Sequence, residues 1–153
     1  MERVDLQALL GRTDRTPAEE EALMTLLRTA AHRALARERP GSLETGDLAG
    51  DVYLRLATGC DLTIEDALHL RRLVARVTRH VLVDRARRRG AERRGADPVR
   101  VTYSERQLAD DGLDLDVLAL HALLDRLGEL DPRAAEIVQM RAFGGASARE
   151  VAE

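Results

Sequence analysis

Apolar residues recur at helical spacing along most of the chain, with polar residues between them. The clearest series follows residue 66, where apolar side chains stand at i, i+3, i+4, i+7 and i+11 and therefore share one face of an α-helix. Aromatic residues are nearly absent, so a core must be built from Leu, Val and Ala, which favours packed helices over a sheet. The pattern predicts an all-α protein. That series is Leu70, Leu73, Val74, Val77 and Val81.

Capping signals mark where the first helices begin. Thr16 is followed by Pro17 and, three residues on, by Glu19, which is the pattern of an N-cap threonine with a reciprocal glutamate. This helix is predicted to run to about residue 39. A second helix follows Thr45 and ends near Gly59, and a third begins after Thr63 and carries the apolar series.

A second helical block is predicted over residues 116–153. Its first helix starts near residue 116, Asp131 caps the next, and Gly144-Gly145 ends it. Ser147 and Glu150 form a further capping box. The glycine break before a capped helix suits a helix-turn-helix, although an ordinary helical hairpin remains an alternative. The expected core of this block is Leu118, Leu123, Leu127, Leu130, Ile137, Val138 and Met140.

Between the two blocks the periodicity fades over residues 89–115, and the charge changes from basic to acidic. Gly90, Gly95 and Pro98 interrupt this stretch, so we predict a flexible linker. The predicted organisation is thus two small helical domains, at residues 1–88 and 116–153, with the linker between them.

Charge is concentrated in residues 71–95, which hold ten arginines and two acidic residues in a chain of net charge −3. Arg72, Arg76 and Arg79 stand at i, i+4 and i+7, roughly opposite the apolar series. Such an excess of one sign repels itself unless a polyanion offsets it, and phosphates do so with release of counterions. The segment therefore favours nucleic-acid binding. A solvated helix face, an acidic protein and a membrane surface stay open as alternatives.

Catalytic and metal-binding patterns are not found. The four histidines show no metal-ligand spacing, and no glycine-rich loop carries the lysine of a phosphate-binding motif. We therefore expect no enzyme activity, no metal and no cofactor. The single cysteine, Cys60, cannot form an internal disulfide, and the N-terminal residues contain no long apolar run. A cytoplasmic, nucleoid-associated protein without a membrane partner is expected.

Three segments in order resemble the bacterial sigma factors of the extracytoplasmic-function (ECF) type, and the ECF-like subgroup in particular. They are LARERPGSLETGDLAGDVYLRLATG, LRRLVARVTRHVLVDRARRRGAERRG and LDRLGELDPRAAEIVQMRAFGGASAREVAE. The resemblance implies a region-2-like domain, a linker and a region-4-like domain. The last would be partial, because the chain is expected to stop before the recognition helix of the helix-turn-helix.

The resemblance also implies sites. The helix around residues 47–56 would bind the clamp helices of the polymerase β′ subunit, with Asp47, Leu48, Asp51, Leu54 and Arg55 as contacts. The arginine helix would bind the promoter −10 element, and the loop at residues 59–66 would hold an unstacked base. The second domain would contact the β flap, and an anti-sigma factor is a further candidate partner. The DNA contacts would be Arg72, Arg76, Arg79, Arg85, Arg87, Arg88 and Arg89.

The function implied is that of a sigma factor, which binds core RNA polymerase and directs it to promoter DNA. Two alternatives are carried with it. One is a sigma-like remnant or regulator that binds polymerase or nucleic acid without starting transcription. The other is a helical protein-interaction module. We expect the second block to be only marginally stable without its last helix.

Overall fold

A computed structural model of the protein describes residues 16–35, 45–58, 67–95 and 105–152. Every regular element in these ranges is an α-helix, which confirms the all-α prediction. The helices are α1 (Pro17–Leu35), α2 (Thr45–Thr58), α3 (Ala67–Gly95), α4 (Glu105–Leu130), α5 (Pro132–Phe143) and α6 (Ala148–Ala152).

The capping groups predicted at Thr16, Asp131 and Ser147 form. The Thr16 backbone N–H donates to Glu19 Oε2 at 2.7 Å, and the Glu19 N–H donates to Thr16 Oγ1 at 3.3 Å. Ser147 and Glu150 make the same reciprocal pair at the start of α6. Asp131 accepts from the Ala134 N–H at 3.0 Å at the start of α5. Each pair satisfies backbone donors that the first turn of a helix leaves without partners.

The first three helices share a core of aliphatic side chains. α1 packs against α2, and both pack against α3. The apolar series of α3 lies in this core as predicted, with Val77 half-buried and the other four members buried. The fully buried aliphatic side chains here include Leu23, Leu27, Leu48, Val52, Leu70 and Val74.

The C-terminal helices continue the same core. α4 and α5 pack against each other and against α3, and α5 also contacts α1. The buried apolar side chains that this part of the chain adds to the core are Val117, Leu124, Met140, Ala142, Phe143 and Ala146.

The expected core of this block was therefore largely wrong. Leu123 is 64% exposed and Leu130 is 85% exposed, and Ile137 and Val138 also face solvent. Only Met140 is buried, while Leu118 and Leu127 are half-buried. The prediction assumed that α4 and α5 bury apolar residues against each other. In the structure both helices turn a different face toward α3, and the leucines on the far side stay outside.

Helix ends differ from the predicted linker limits. α3 reaches Gly95 and α4 begins at Glu105, so both helices extend into the range 89–115. Residues of high helix propensity, mainly Arg, Ala, Glu, Gln and Leu, dominate the parts that are helical. The division into two domains stays a prediction. The cap at Thr63 and the loop at residues 59–66 lie outside the part of the chain that the structure describes.

The glycine turn after α5 brings the backbone close to both α1 and α3. Gly145 has φ +66°, and a Cβ at this position would lie 3.0 Å from the Ala30 Cα. A Cβ on Gly144 would lie 2.9 Å from the Ala75 Cβ. Arg33 on α1 donates a hydrogen bond from Nη1 to the Gly145 carbonyl. Glycine is therefore required here by conformation at Gly145 and by close approach at both positions.

We predict opposite effects of alanine at two glycines. Gly50 lies inside α2, where an added Cβ meets no atom within 4 Å. Gly50→Ala should raise the free energy of unfolding by roughly 0.5–1 kcal/mol, because alanine has the higher helix propensity and restricts the unfolded chain. The measurement is urea unfolding followed by circular dichroism.

Gly145→Ala is the paired variant. It should lower the free energy of unfolding by more than Gly50→Ala raises it, since positive φ and the contact with Ala30 both oppose a side chain. Equal, small effects at the two positions would contradict the packing of the turn against α1.

Candidate nucleic-acid interface

The arginines of α3 divide into exposed and engaged side chains. Arg76, Arg87 and Arg88 are exposed, and Arg85 and Arg89 are half-buried. Arg76 and Arg87 are eleven positions apart in sequence, which is close to a whole number of helical turns, so they point to a similar side of α3. Arg76 and Arg87 form a basic strip on this side of the helix, and Arg88 is exposed about a quarter-turn away from Arg87.

Arg79 is engaged inside the protein. Its side chain is only 11% exposed, and it donates four hydrogen bonds to α4 and α5. Nε donates to His121 Nδ1 at 2.9 Å and Nη1 to Gln139 Oε1 at 2.9 Å. Nη2 donates to the His121 carbonyl at 3.0 Å and to Asp125 Oδ1 at 2.6 Å. The guanidinium has five N–H groups, so nearly all are satisfied by these three residues.

The expectation that Arg79 shares an exposed face with Arg72 and Arg76 is therefore wrong for this conformation. Helical spacing places the three on one side of α3, but α4 and α5 cover that side at Arg79 and leave Arg76 open. A DNA contact by Arg79 stays a prediction.

Two further arginines of α3 pair with the C-terminal helices. Arg72 Nε lies 3.0 Å from Glu136 Oε1 on α5, and Arg71 Nη1 lies 2.8 Å from Glu150 Oε1 on α6. The pKa of Glu150 is lowered to about 2, chiefly because the Ser147 backbone N–H and hydroxyl hydrogen-bond to the carboxylate, with Arg71 contributing further. Both ion pairs are partly exposed, so each is a modest contact.

The histidine beside Arg79 is held in its neutral form. Burial lowers the pKa of His121 below its ordinary value, and the charge of Arg79 lowers it further against the opposing effect of Asp125. The geometry agrees, because Nδ1 accepts a hydrogen bond from Arg79 and cannot carry a proton while it does so. The hydrogen bond from Arg79 also holds the pKa of Asp125 below its usual range.

The predicted polymerase-contact residues are only partly on the surface. Asp47 and Asp51 are exposed, and Leu54 is 60% exposed on the same side of α2. Leu48, however, lies on the inward face of α2 and is fully buried in the core. Its assignment as a polymerase contact is therefore corrected. Arg55 hydrogen-bonds to Asp84 on α3, which lowers the pKa of that carboxyl.

Within the residues that the structure describes, no group of acidic, histidine or cysteine side chains is arranged to hold a metal ion. None of the described helices combines the length and the apolar character needed to cross a membrane.

Comparison with known proteins identifies the family. The family model described as ECF sigma factor matches residues 15–153. The chain belongs to the ECF sigma factor family. Neither the curated proteins nor the solved structures searched contain a match to this sigma factor.

Sequence reasoning missed the residues of this sigma factor that surround Arg79. His121, Asp125 and Gln139 carry no motif, and nothing in their spacing distinguishes them from a solvated face. The distribution of charge along the chain did indicate that the arginines have acidic partners elsewhere in the protein. Because the net charge is −3 although residues 71–95 are strongly basic, acids must be in excess elsewhere and are candidates to pair with the arginines.

We predict that acid weakens the attachment of α4 and α5 to α3. The pKa of His121 is lower in the folded protein than its ordinary value of 6.5, so protonation favours the unfolded or open state. The contribution of neutral His121 to stability is therefore complete above pH 6.5, and it is lost as the pH falls below 6.5 toward the lower pKa of the folded protein. His80, whose pKa is lowered by burial and by Arg79, acts in the same direction, and Asp125 stays ionised in this range.

The measurement is the Tm at about pH 7.5 and at about pH 5.5 for the wild-type protein and for His121→Asn. Asparagine offers an oxygen near the position of Nδ1 but does not titrate. The variant should lose less Tm on acidification than the wild type, while His80 remains in both. Equal losses of Tm in the two proteins would show that His121 does not contribute to the pH dependence of stability.

Proposed function

We propose that this sigma factor binds core RNA polymerase through α2 and promoter DNA through α3, and thereby directs transcription initiation. The observation that carries the proposal is the basic strip of α3, which remains exposed although the same helix is anchored in the core. The role is binding, not catalysis. Membership of the ECF sigma factor family supports the general role.

The DNA contact rests on charge and on rigidity. Arg76 and Arg87 are exposed on the side of α3 opposite its buried aliphatic series, and Arg88 is exposed beyond the last member of that series. The packed helix thus holds these charges in fixed relative positions, with Arg76 and Arg87 on one side and Arg88 about a quarter-turn away. Neutralising phosphates with such arginines releases condensed counterions, which favours binding at low salt. Arginine can also donate two hydrogen bonds to one phosphate or base edge.

The polymerase contact rests on the exposed side of α2. Asp47, Asp51 and Leu54 stand at i, i+4 and i+7 and combine two carboxylates with an exposed leucine. Such a surface suits a partner helix that offers basic and apolar side chains, which is the role that the resemblance gives to the β′ clamp helices. The proposal extends to a β-flap contact by the C-terminal helices.

We predict that Arg87→Gln combined with Arg88→Gln weakens DNA binding in a salt-dependent way. Each lost phosphate contact should lower the slope of log K against log salt by about 0.9. The measurement is fluorescence anisotropy of a fluorescein-labelled DNA duplex over a range of salt concentrations. Arg28→Gln is the matched control, because Arg28 is an exposed arginine on α1 that pairs with Glu21. An equal slope in all three proteins would refute the DNA contact.

We predict that Leu54→Ala and Asp51→Arg weaken binding to purified core RNA polymerase. An exposed leucine at the centre of an interface and a reversed charge each affect affinity by about tenfold or more. Binding is measured by surface plasmon resonance, and run-off transcription should fall in parallel. Glu21→Arg reverses an exposed charge on α1 and should leave binding unchanged. If Leu54→Ala and Asp51→Arg bind as tightly as the control, α2 is not the docking surface.

A further inference from the structure

We infer that Arg55 of α2 belongs to the DNA interface, where an ion pair with Asp84 of α3 holds its guanidinium in position to bind a DNA phosphate. The resemblance places Arg55 among the polymerase contacts, and the inference moves it to the other ligand. It rests on the proposed function, because it adds a residue to the DNA contact of α3. In this arrangement Arg55 binds the phosphate, and Asp84 is a positioning residue.

The basic strip of α3 has a gap near its middle. Arg76 and Arg87 are eleven positions apart, which is roughly 16 Å along a helix. On this side of α3, His80 and Asp84 lie between them. Partial burial lowers the pKa of His80, and the charge of Arg79 lowers it further, so the imidazole is uncharged at neutral pH. The interval between the two arginines therefore presents a carboxylate, which repels a phosphate.

Arg55 fills this gap from the neighbouring helix. Its Nη2 donates a hydrogen bond to Asp84 Oδ2, so a guanidinium from α2 lies against the surface of α3. That hydrogen bond is the main reason for the lowered pKa of Asp84, and the charge of Arg87 lowers the pKa further. The charge of Arg55 also reaches His80, as does that of Arg76. Arg55 is thus placed between the two arginines of the basic strip.

The pair with Asp84 forms although another carboxylate is near. Asp51 stands four positions before Arg55 on α2, a spacing that favours an ion pair within one helix. An arginine bound to Asp51 would stay on the exposed side of α2 with Leu54, where we propose the polymerase contact. In the structure Arg55 binds Asp84 instead. This choice of partner directs the guanidinium to the helix that faces DNA.

The paired guanidinium is still accessible from outside. The side chain of Arg55 is 44% exposed, and that of Asp84 is 43% exposed. A guanidinium has five N–H groups, and the bond to Asp84 uses one that belongs to Nη2. Arg55 can therefore hold Asp84 and donate to a phosphate at the same time. Its charge also offsets the carboxylate that would otherwise interrupt the basic strip.

The first test measures DNA and polymerase binding by the full chain. Arg55→Gln should lower the slope of log K against log salt by about 0.9 for a fluorescein-labelled DNA duplex, because one phosphate contact is lost. Arg55→Lys keeps the charge and should retain the slope. Arg28→Gln removes an exposed arginine from α1 and should leave the slope unchanged. Binding of Arg55→Gln to core RNA polymerase should equal that of the wild type.

A double-mutant cycle tests the positioning by Asp84. Asp84→Asn removes the carboxylate at similar side-chain size, so Arg55 loses the ion pair that holds it on α3. In this background Arg55→Gln should change the salt slope by about half or less of its effect in the wild-type background. Equal changes of slope in the two backgrounds would overturn the inference. Because the ion pair is partly exposed, these variants should keep the fold.

Two further outcomes overturn the inference and leave the proposed function standing. In one, Arg87→Gln combined with Arg88→Gln lowers the salt slope and Arg55→Gln does not. In the other, Arg55→Gln weakens polymerase binding as Leu54→Ala does and leaves the salt slope unchanged, which makes Arg55 a polymerase contact. If neither the wild type nor Arg28→Gln binds the duplex at low salt, the proposed DNA contact itself fails, and the inference fails with it.

Discussion

The buried guanidinium of Arg79 sets the arrangement of the C-terminal helices. A charged group that has left water must find partners for nearly all of its N–H groups, because each unsatisfied donor destabilises the fold. Here the partners come from two helices, with His121 and Asp125 one turn apart on α4 and Gln139 on α5. The rotation of α4 about its axis and its position relative to α5 are therefore both constrained by a single side chain of α3.

The same helix thus uses arginine in two physical states. Arg79 is desolvated and bonded to specific acceptors. Arg76, Arg87 and Arg88 are instead exposed to solvent, where their charges can attract a polyanion over a distance. The alternatives raised by the charge pattern are not mutually exclusive, since an acidic protein surface does meet this segment. That surface belongs to the chain itself.

Helix caps and helical periodicity were predictable from the sequence, whereas the faces by which the helices pack against one another were not. The capping boxes at Thr16 and Ser147 involve residues three positions apart, and the apolar series of α3 needs only helical periodicity. By contrast, the exposure of Leu123 and the burial of Leu48 depend on which neighbour each helix meets. α4 carries apolar residues on more than one face, so periodicity alone could not select the face that packs. The partners of Arg79 lie 42 to 60 positions away and carry no local signal.

The glycine turn after α5 has a consequence for how the C-terminal helices detach. Its backbone fits against Ala30 with no room for a Cβ, and the Arg33 side chain holds the Gly145 carbonyl from the same helix. Because the fit is close, a small displacement of the turn weakens the van der Waals contact and the hydrogen bond together. Detachment of this turn should therefore break the Ala30 contact and the Arg33–Gly145 hydrogen bond in one step.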